Sequence, residues 1–401
     1  MPTKASSSKG QSAQHMGMVL AGDGIASRAM ALAFAKMGIA STIIAPKEQV
    51  LTGGVQIAPN GWAALKKLGL GEDAQDPTQD LIKNHALALS MMRVLSLNTG
   101  YNLVQIPLND RARRQPYTSM TRQGLNETLK KAAQKTKKVT WENAAITAVT
   151  SKDNKAEITL DDGKVITADW LIGGDGSHGI CRQYVAAETS PSKQSFTRQA
   201  FRIVIPGAAC PPTLMGKASN LWLGDGSHMV HYPLADGMLN LVAVMPKAAS
   251  IDDLIHLTRQ HPQGSFLTAY IRDNGDHVYS QPLYQHQSLD AFQRGRVILC
   301  GDAAHPMPPH LAQGAGQSLI DAAHMMALAQ SLNISPDDDL QVLFTRWAAD
   351  RNRQVKSIRR NAERAGAIFA IDGPLAKLRN FAMASIGGKL LTDQLESLWA
   401  E

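Results

Sequence analysis

Three segments of the chain carry residue types and spacings suited to holding phosphates and a flat ring. The first is Gly22-Asp23-Gly24-Ile25-Ala26-Ser27. Glycines at its first two positions permit a tight turn and close approach of the backbone to a pyrophosphate. The N-terminus of a following helix then favours the phosphate charge. Ser27 stands at the third position, where such turns usually have glycine; it is small enough for close helix–strand packing. Alone this pattern is weak, because many glycine-rich turns hold no ligand. A dinucleotide site also requires an acid near the end of the second strand, for the ribose hydroxyls. That place holds Ala45-Pro46-Lys47, with Glu48 next. Either Glu48 substitutes, or the adenosine end is held differently.

The second segment runs Gly173-Gly174-Asp175-Gly176-Ser177-His178-Gly179-Ile180-Cys181-Arg182. A strand ends in a Gly/Asp turn and an arginine follows. Its bland reading is a β-turn with a solvated arginine. The third begins Gly301-Asp302-Ala303-Ala304-His305-Pro306 and continues through Pro309, His310, Gly314, Ala315 and Gly316 to Gln317. Prolines stiffen this loop and glycines free its backbone to approach a flat ligand. Helical spacing of Leu319, Ala323, Met326 and Ala327 predicts a helix from about Gly316, whose N-terminus could stabilise negative charge on a reduced ring. Each segment alone could be structural. Three such turns in this order and spacing are hard to read as coincidence.

The elements that must position these turns are legible as short patterns. Met16 to Ala21 is an apolar run that reads as a buried strand. Ile25, Ala29, Leu32 and Ala33 follow with helical spacing, and Gly38 is placed to cap the helix. Thr42 to Ile44 gives a second strand, so the chain opens as a parallel, doubly wound α/β sheet. Trp170 to Ile172 and Arg296 to Cys300 are two more such runs. Between them, Ala200 to Ile205, Met229 to Tyr232 and Leu239 to Val244 suit a separate, inserted sheet. From about Ser335 the chain reads as helical. These patterns divide it into a disordered tail (1–15), a discontinuous Rossmann-like nucleotide-binding domain (16–75, 118–186 and 288–345), an inserted β-sheet domain (76–117 and 187–287) and C-terminal helices (346–401).

Composition excludes several classes. With 401 residues, 44% hydrophobic and 19% charged, the chain can bury a sizeable core, and disorder throughout is ruled out. Its three cysteines lie far apart without a CxxC pair, so neither a disulfide framework nor a metal cluster is expected, and the compartment reads as reducing and cytoplasmic. No apolar run approaches the ~18 residues of a membrane span. The net charge of +7 is scattered rather than striped, which argues against nucleic acid and suits small anionic substrates.

Together these residues resemble the single-component FAD-dependent aromatic hydroxylases, and most of all their salicylate-hydroxylase-like branch. The stretch GDAAHPMPPHLAQGAGQ from Gly301 to Gln317 carries the resemblance most specifically. It extends over nearly the whole chain, through Val55 to Asn60, Arg122 and Leu125, Leu221 to Gly224, His231 to Leu234, and Gly373 to Arg379. The family implies FAD as cofactor, NADH or NADPH as transient reductant, and molecular oxygen. It implies hydroxylation of a small aromatic or N-heteroaromatic substrate through a flavin C4a-hydroperoxide. Carried over residue by residue, Gly22, Gly24 and Ser27 surround the pyrophosphate, with Glu48 as the candidate ribose ligand. Arg122 lies along the cofactor. Asp175 and Arg182 build the cofactor and reductant site, and Asp302 binds the ribityl chain. Gly314, Ala315 and Gly316 face the flavin ring, and Pro309 packs against its reactive edge and the substrate. Three positions depart from the pattern: Ala45 for the ribose carboxylate, Gly124 for an Asp after Arg122, and Gly179 for a Ser in the Asp-Gly motif.

Ionising a phenol raises its nucleophilicity, so a general base is expected, and histidine suits that work. His231, Tyr232 and His310 are the candidates for chemistry. Arg202, Trp222, His231, Tyr232 and Pro309 are the candidates for substrate contact. His228 is expected on the opposite face of its strand from His231, and His305 as a structural hydrogen-bonding partner. Two alternatives stay open. One is a hydroxylase for a lipid-tailed aromatic, for which the apolar stretch Phe381 to Leu391 leaves membrane contact possible. The other is a degenerate flavin-binding accessory protein. Monomer and homodimer are equally compatible with the sequence.

Overall fold

The computed structural model describes residues 14–47, 52–70, 85–108, 115–187 and 196–400. The apolar run Met18 to Ala21 is fully buried, as expected of a strand covered on both faces. The strand Gln14–Ala21 pairs in parallel with Ser41–Ala45 on one side and Val165–Gly173 on the other. Val297–Leu299 and Val139–Asn143 extend the parallel core, and antiparallel strands complete an eight-stranded sheet. This strand begins inside the expected tail: Gln14 and His15 pair with Ile166 and Thr167. Residues 1–13 lie outside the described residues, as does Glu48.

The helix Ile25–Lys36 is buried from Ala26 to Ala35. Its alanines let it lie close between the sheet and the helix Gly314–Ser331. The latter starts two residues earlier than its apolar spacing suggests, because the glycines at its head carry no periodic signal.

A second sheet has seven strands, in the order Tyr279–Tyr284, Phe196–Pro206, Met238–Pro246, His228–Pro233, Ala218–Leu223, Met91–Ser96 and Asn102–Pro107. All neighbours are antiparallel except Ala218–Leu223 and Met91–Ser96. Side chains alternate along each strand, so each face has its own core. Phe201, Ile203, Met229, Leu239 and Leu241 pack outward with residues of the helices Ile251–Arg259 and Gly264–Asp273. Val94, Val104, Leu223 and Tyr232 pack inward with Ile358, Phe369 and Trp399 of the C-terminal helices. A three-stranded sheet of Gly54–Ile57, Thr118–Thr121 and Ala86–Ala88 lies beside the inner face. There Asn240 accepts from the Gly54 amide at 2.8 Å, and Ser119 donates to the Pro233 carbonyl. The chain ends in helices Gln341–Phe369, Gly373–Ala382 and Gly388–Ala400. Among the described residues, no helix is long and apolar enough to cross a membrane.

Candidate functional site

The glycine turn is built as a phosphate-binding turn must be. Gly22 has φ +85°, and a Cβ there would meet Asp175 Cα and the Gly174 carbonyl oxygen at 2.9 Å. Gly24 caps the helix Ile25–Lys36 and has nothing within 4 Å of where a side chain would begin, leaving its backbone open to a ligand. Ser27 turns away: its hydroxyl donates to the Ala21 carbonyl at 3.0 Å inside the core. Its part is close packing and not a hydroxyl offered to phosphate. Asp23 is clamped by Arg28, whose Nε and Nη2 donate to its two oxygens at 2.7 Å, and by the Trp141 indole at 3.1 Å. Sequence patterns gave no sign of this clamp, which fixes the turn beside the end of the Ser41–Ala45 strand.

Arg122 opens the helix Arg122–Lys135, and its Nε is buried with no partner among the described residues. Asp302 is accessible at its surface, yet enough protein surrounds it that burial raises its carboxyl pKa, against the pull of His305 and Arg122. Asp302 Oδ1 lies 3.8 Å from where a Gly314 Cβ would be, beside the amides that open the helix Gly314–Ser331. Ala315 packs on the core, and Gly316 lies against Gly61, whose Cβ would sit 3.2 Å from the Gly316 Cα. Pro309 opens a short turn, Pro309–Leu311, and is accessible. An open glycine turn, a buried Arg122 Nε without a partner among the described residues, an accessible carboxylate and the amides that open a helix fit an FAD: phosphates at Gly24, ribityl hydroxyls at Asp302, ring at the loop 309–316.

Two departures from the family pattern have steric reasons here. A Cβ at Gly179 would fall 2.1 Å from the Asp175 Cγ. The Asp175 carboxylate fills that space, accepting from the Cys181 amide at 3.0 Å, and burial raises its pKa. A Cβ at Gly124 would meet Thr121 Oγ1 at 2.8 Å and His85 Nδ1 at 3.1 Å. Arg182 is only 4% exposed and is engaged with backbone, donating to the carbonyls of Ala303 and Gln287, each at 2.8 Å. It pins the turn Gly301–Ala304 to the Asp-Gly segment.

A buried network fixes the same loop from behind. Asp321 accepts from the Gly301 amide and from His305 at 2.8 Å, and from Arg351 at 2.7 Å. Burial opposes its ionisation, but His305 and Arg351 prevail and hold its pKa at about 2. Arg351 also donates to Gln317 at 2.8 Å. The expectation for His305 matches this geometry; Asp321 and Arg351 carried no motif.

The seven-stranded sheet separates the remaining candidates. On its inner face, opposite positions across the strands place Arg202, Val242, Val230 and Leu221 in one row. Ala200, Val244 and His228 form the next row, and Val204, Asn240 and Tyr232 the one on the other side. Val242, Val244, Ala200 and Val230 form an apolar floor bounded by Arg202, Tyr232 and His228. Burial lowers the Arg202 pKa and the Arg122 cation lowers it further. Burial raises Tyr232 to about 12. His228 is buried, 5.2 Å between ring centroids from His310 and likewise 5.2 Å from Phe369. Burial lowers its pKa well below 6.5, assisted by His310, Arg198 and Arg379. His310 falls to about 4, from burial and Arg198.

His231 and Trp222 lie on the other face. His231 accepts from or donates to Asn220 at 3.0 Å and neighbours Trp222 and His261. Trp222 stands opposite Met229 in the outer core. The expectation that both meet the substrate beside Tyr232 is therefore corrected. Adjacent strand residues point to opposite faces, so His231 and Tyr232 cannot share one. His228, four residues from Tyr232, does share its face; the same alternation was available in the sequence to find it.

Known proteins bear on this geometry. Residues 19–355 match the family described as FAD binding domain. The chain is 30% identical over 392 residues to a 3-hydroxybenzoate 6-hydroxylase of Aquipseudomonas alcaligenes, covering 94% of this chain and 95% of that one. It is 24% identical over 329 residues to a 6-hydroxynicotinate 3-monooxygenase of Pseudomonas fluorescens, covering 79% and 82%. Its fold superposes on Klebsiella pneumoniae HpxO complexed with FAD and uric acid, with a TM-score of 0.81, 18% identity, and 96% and 97% coverage. Together with the site built for FAD, these matches establish that the chain belongs to the FAD-binding family of single-component aromatic hydroxylases.

Proposed function

We propose that this chain uses NADH or NADPH and molecular oxygen to hydroxylate a small aromatic or N-heteroaromatic acid on the inner face of the seven-stranded sheet. The observation that carries this reading is Arg202. It is a largely buried cation with no hydrogen bond or ion pair among the described residues, at the edge of an apolar floor and near a second cation, Arg122. An anionic group on the substrate would relieve both the burial and the repulsion.

Bound FAD supplies the redox and oxygen chemistry. The residues of the chain bind, orient and move a proton. The ring lies on Val230 and Val242, and Arg202 holds its carboxylate. Tyr232, protonated at neutral pH, donates a hydrogen bond to a ring substituent. His228 is neutral, so its imidazole can accept the proton of a ring hydroxyl. Substrate anion nearby raises its pKa toward the working range, where a general base is most effective. His310 packs against His228 from the flavin loop and fixes its ring. The apolar floor of Val230, Val242 and Val244 offers water no polar partner beneath the ring.

Relatives named for hydroxybenzoates and hydroxynicotinate support the substrate class. The test is to saturate the purified full chain with FAD, record bands near ~370 and ~450 nm expected of bound flavin, and follow NADH or NADPH oxidation with a panel of aromatic acids. Bound flavin and acid-stimulated oxidation are expected. Absence of bound flavin, or oxidation that no aromatic acid stimulates, overturns the reading. A second reading, a lipid-tailed substrate, is favoured by one observation: Leu375, Leu378, Phe381, Ile386 and Leu390 are exposed along the C-terminal helices. Co-sedimentation with liposomes would favour it.

A further inference from the structure

The outer face of the seven-stranded sheet holds a cavity of about 450 Å³, lined by Arg93, Gln105, Asn220, Trp222, His231 and His261 among others. The full thickness of the sheet separates it from the floor beneath Arg202 and Tyr232. Its volume lies within the usual range for small-molecule sites.

The hydrogen-bond directions inside it are fixed by their neighbours. Arg93 Nη1 points at Asn220 Oδ1 at 3.5 Å, so the Asn220 amide nitrogen faces His231 and donates to its Nε2 at 3.0 Å. The proton of His231 is then on Nδ1. The Gln263 amide donates to His261 Nδ1 at 2.9 Å, which leaves the His261 proton on Nε2. His231 Nδ1, His261 Nε2 and Trp222 Nε1 are all buried without a partner among the described residues. Their residues are 2%, 5% and 6% exposed. The residues that carry these three donors line one cavity together with Arg93, and none of its lining residues is a carboxylate. Leu95, Leu214 and the Trp222 ring, 4.2 Å from the His261 ring between centroids, provide an apolar wall. Burial of unpaired donors is uncommon in proteins and calls for an acceptor.

We propose that this cavity is a second binding site, separate from the flavin-facing one, for a small anion with a flat apolar body, such as an aromatic monocarboxylate. The carboxylate meets Arg93 and the imidazole donors, and the ring lies along Trp222. Burial keeps His231 at about 3 and His261 at about 4, so Arg93 is the standing cation. The proposal does not depend on which reaction the inner face performs.

Benzoate is the probe, titrated into the FAD-saturated full chain by calorimetry and by tryptophan emission. A binding event is expected that survives Arg202→Gln, weakens at least about tenfold in Arg93→Gln, and quenches emission in the parent but not in Trp222→Phe. Gln105→Glu places a like charge at the exposed rim without disturbing the core, and should weaken the same event by about tenfold. Neutral benzamide should bind there at least about tenfold more weakly than benzoate. Benzoate binding that Arg93→Gln and Gln105→Glu both leave within about twofold overturns the proposal. So does a single binding event that vanishes with Arg202→Gln, or benzamide binding as tightly as benzoate.

Discussion

His228 and His231 belong to one six-residue strand, are both almost completely buried, and are both held neutral by that burial, yet they serve different parts of the molecule. His228 stands over the inner face with Tyr232, His310 and Phe369. His231 stands over the outer face with Asn220, Trp222 and His261. Arginines repeat the pattern: Arg202 is inward beside Tyr232, and Arg93 is outward beside Asn220. Residue type, burial and pKa direction do not tell these pairs apart. Strand parity does, because it decides which core and which ligand each side chain can meet. The loop that carries His310 and the helix Arg122–Lys135 adjoin the inner face, where the reaction is proposed, and the outer face has neither.

The largest expected difference tests the histidines. His228→Gln should lower kcat by about 10²- to 10⁴-fold, the usual loss of a general base. His231→Gln should leave kcat within about threefold, since the proposed reaction lies on the opposite face. Steady-state rates with a hydroxybenzoate that stimulates reductant oxidation give the comparison. Equal losses in the two variants would dissolve the distinction between the faces. The arginines come next. Arg202→Gln should raise KM for an aromatic acid by about 10- to 100-fold with a smaller change in kcat, as removal of a charged hydrogen bond does. Arg93→Gln should leave that KM unchanged. A KM that rises in Arg93→Gln and not in Arg202→Gln would exchange the roles of the two cavities.

How far the sequence could be read depended on the range of the interaction. Local signals worked: Met16 to Ala21 followed by Gly22 and Gly24 marked a strand, a turn and a helix start, and all three are in place. The loop from Gly301 to Gln317 was legible because its glycines and prolines act within a few residues of themselves. Ser27 was legible as a packing residue, and its hydroxyl direction was not, because the acceptor at Ala21 depends on the turn being closed. Asp321 and Arg351 lie 30 residues apart, on helices that read as ordinary amphipathic segments. Their pairing exists only once the helices pack. Asp23 and Trp141 meet across 118 residues for the same reason. Gly124 and Gly179 stood in the sequence as departures from the family pattern. In place they are contacts, one against His85 and Thr121, the other against the Asp175 carboxylate. His231 was misplaced for a different reason: alternation was available, and Tyr232 next to it should have excluded a shared face.

The smallest expected effect follows from the same buried imidazoles and reaches both faces. In the unfolded chain a histidine titrates near 6.5. In the folded chain His231 is held at about 3, and His261 and His310 at about 4, chiefly by burial. Below pH 6.5 the unfolded state therefore binds protons that the folded state refuses. Stability is full above that pH and falls as acid takes it down toward the folded values. Removing one such group removes its share of the slope. His231→Gln keeps a side chain able to pair with Asn220 and does not titrate. From pH 7.5 to pH 5 it should lose about 2 kcal/mol less stability than the parent, the integral of one withheld proton over about 1.5 pH units. Urea midpoints at the two pH values, with m confirmed constant, measure it. Because the proposed reaction lies on the inner face, the gain in acid should come without a change in the pH profile of kcat. A profile that shifts with His231→Gln would mean that the two faces are coupled through the strand they share.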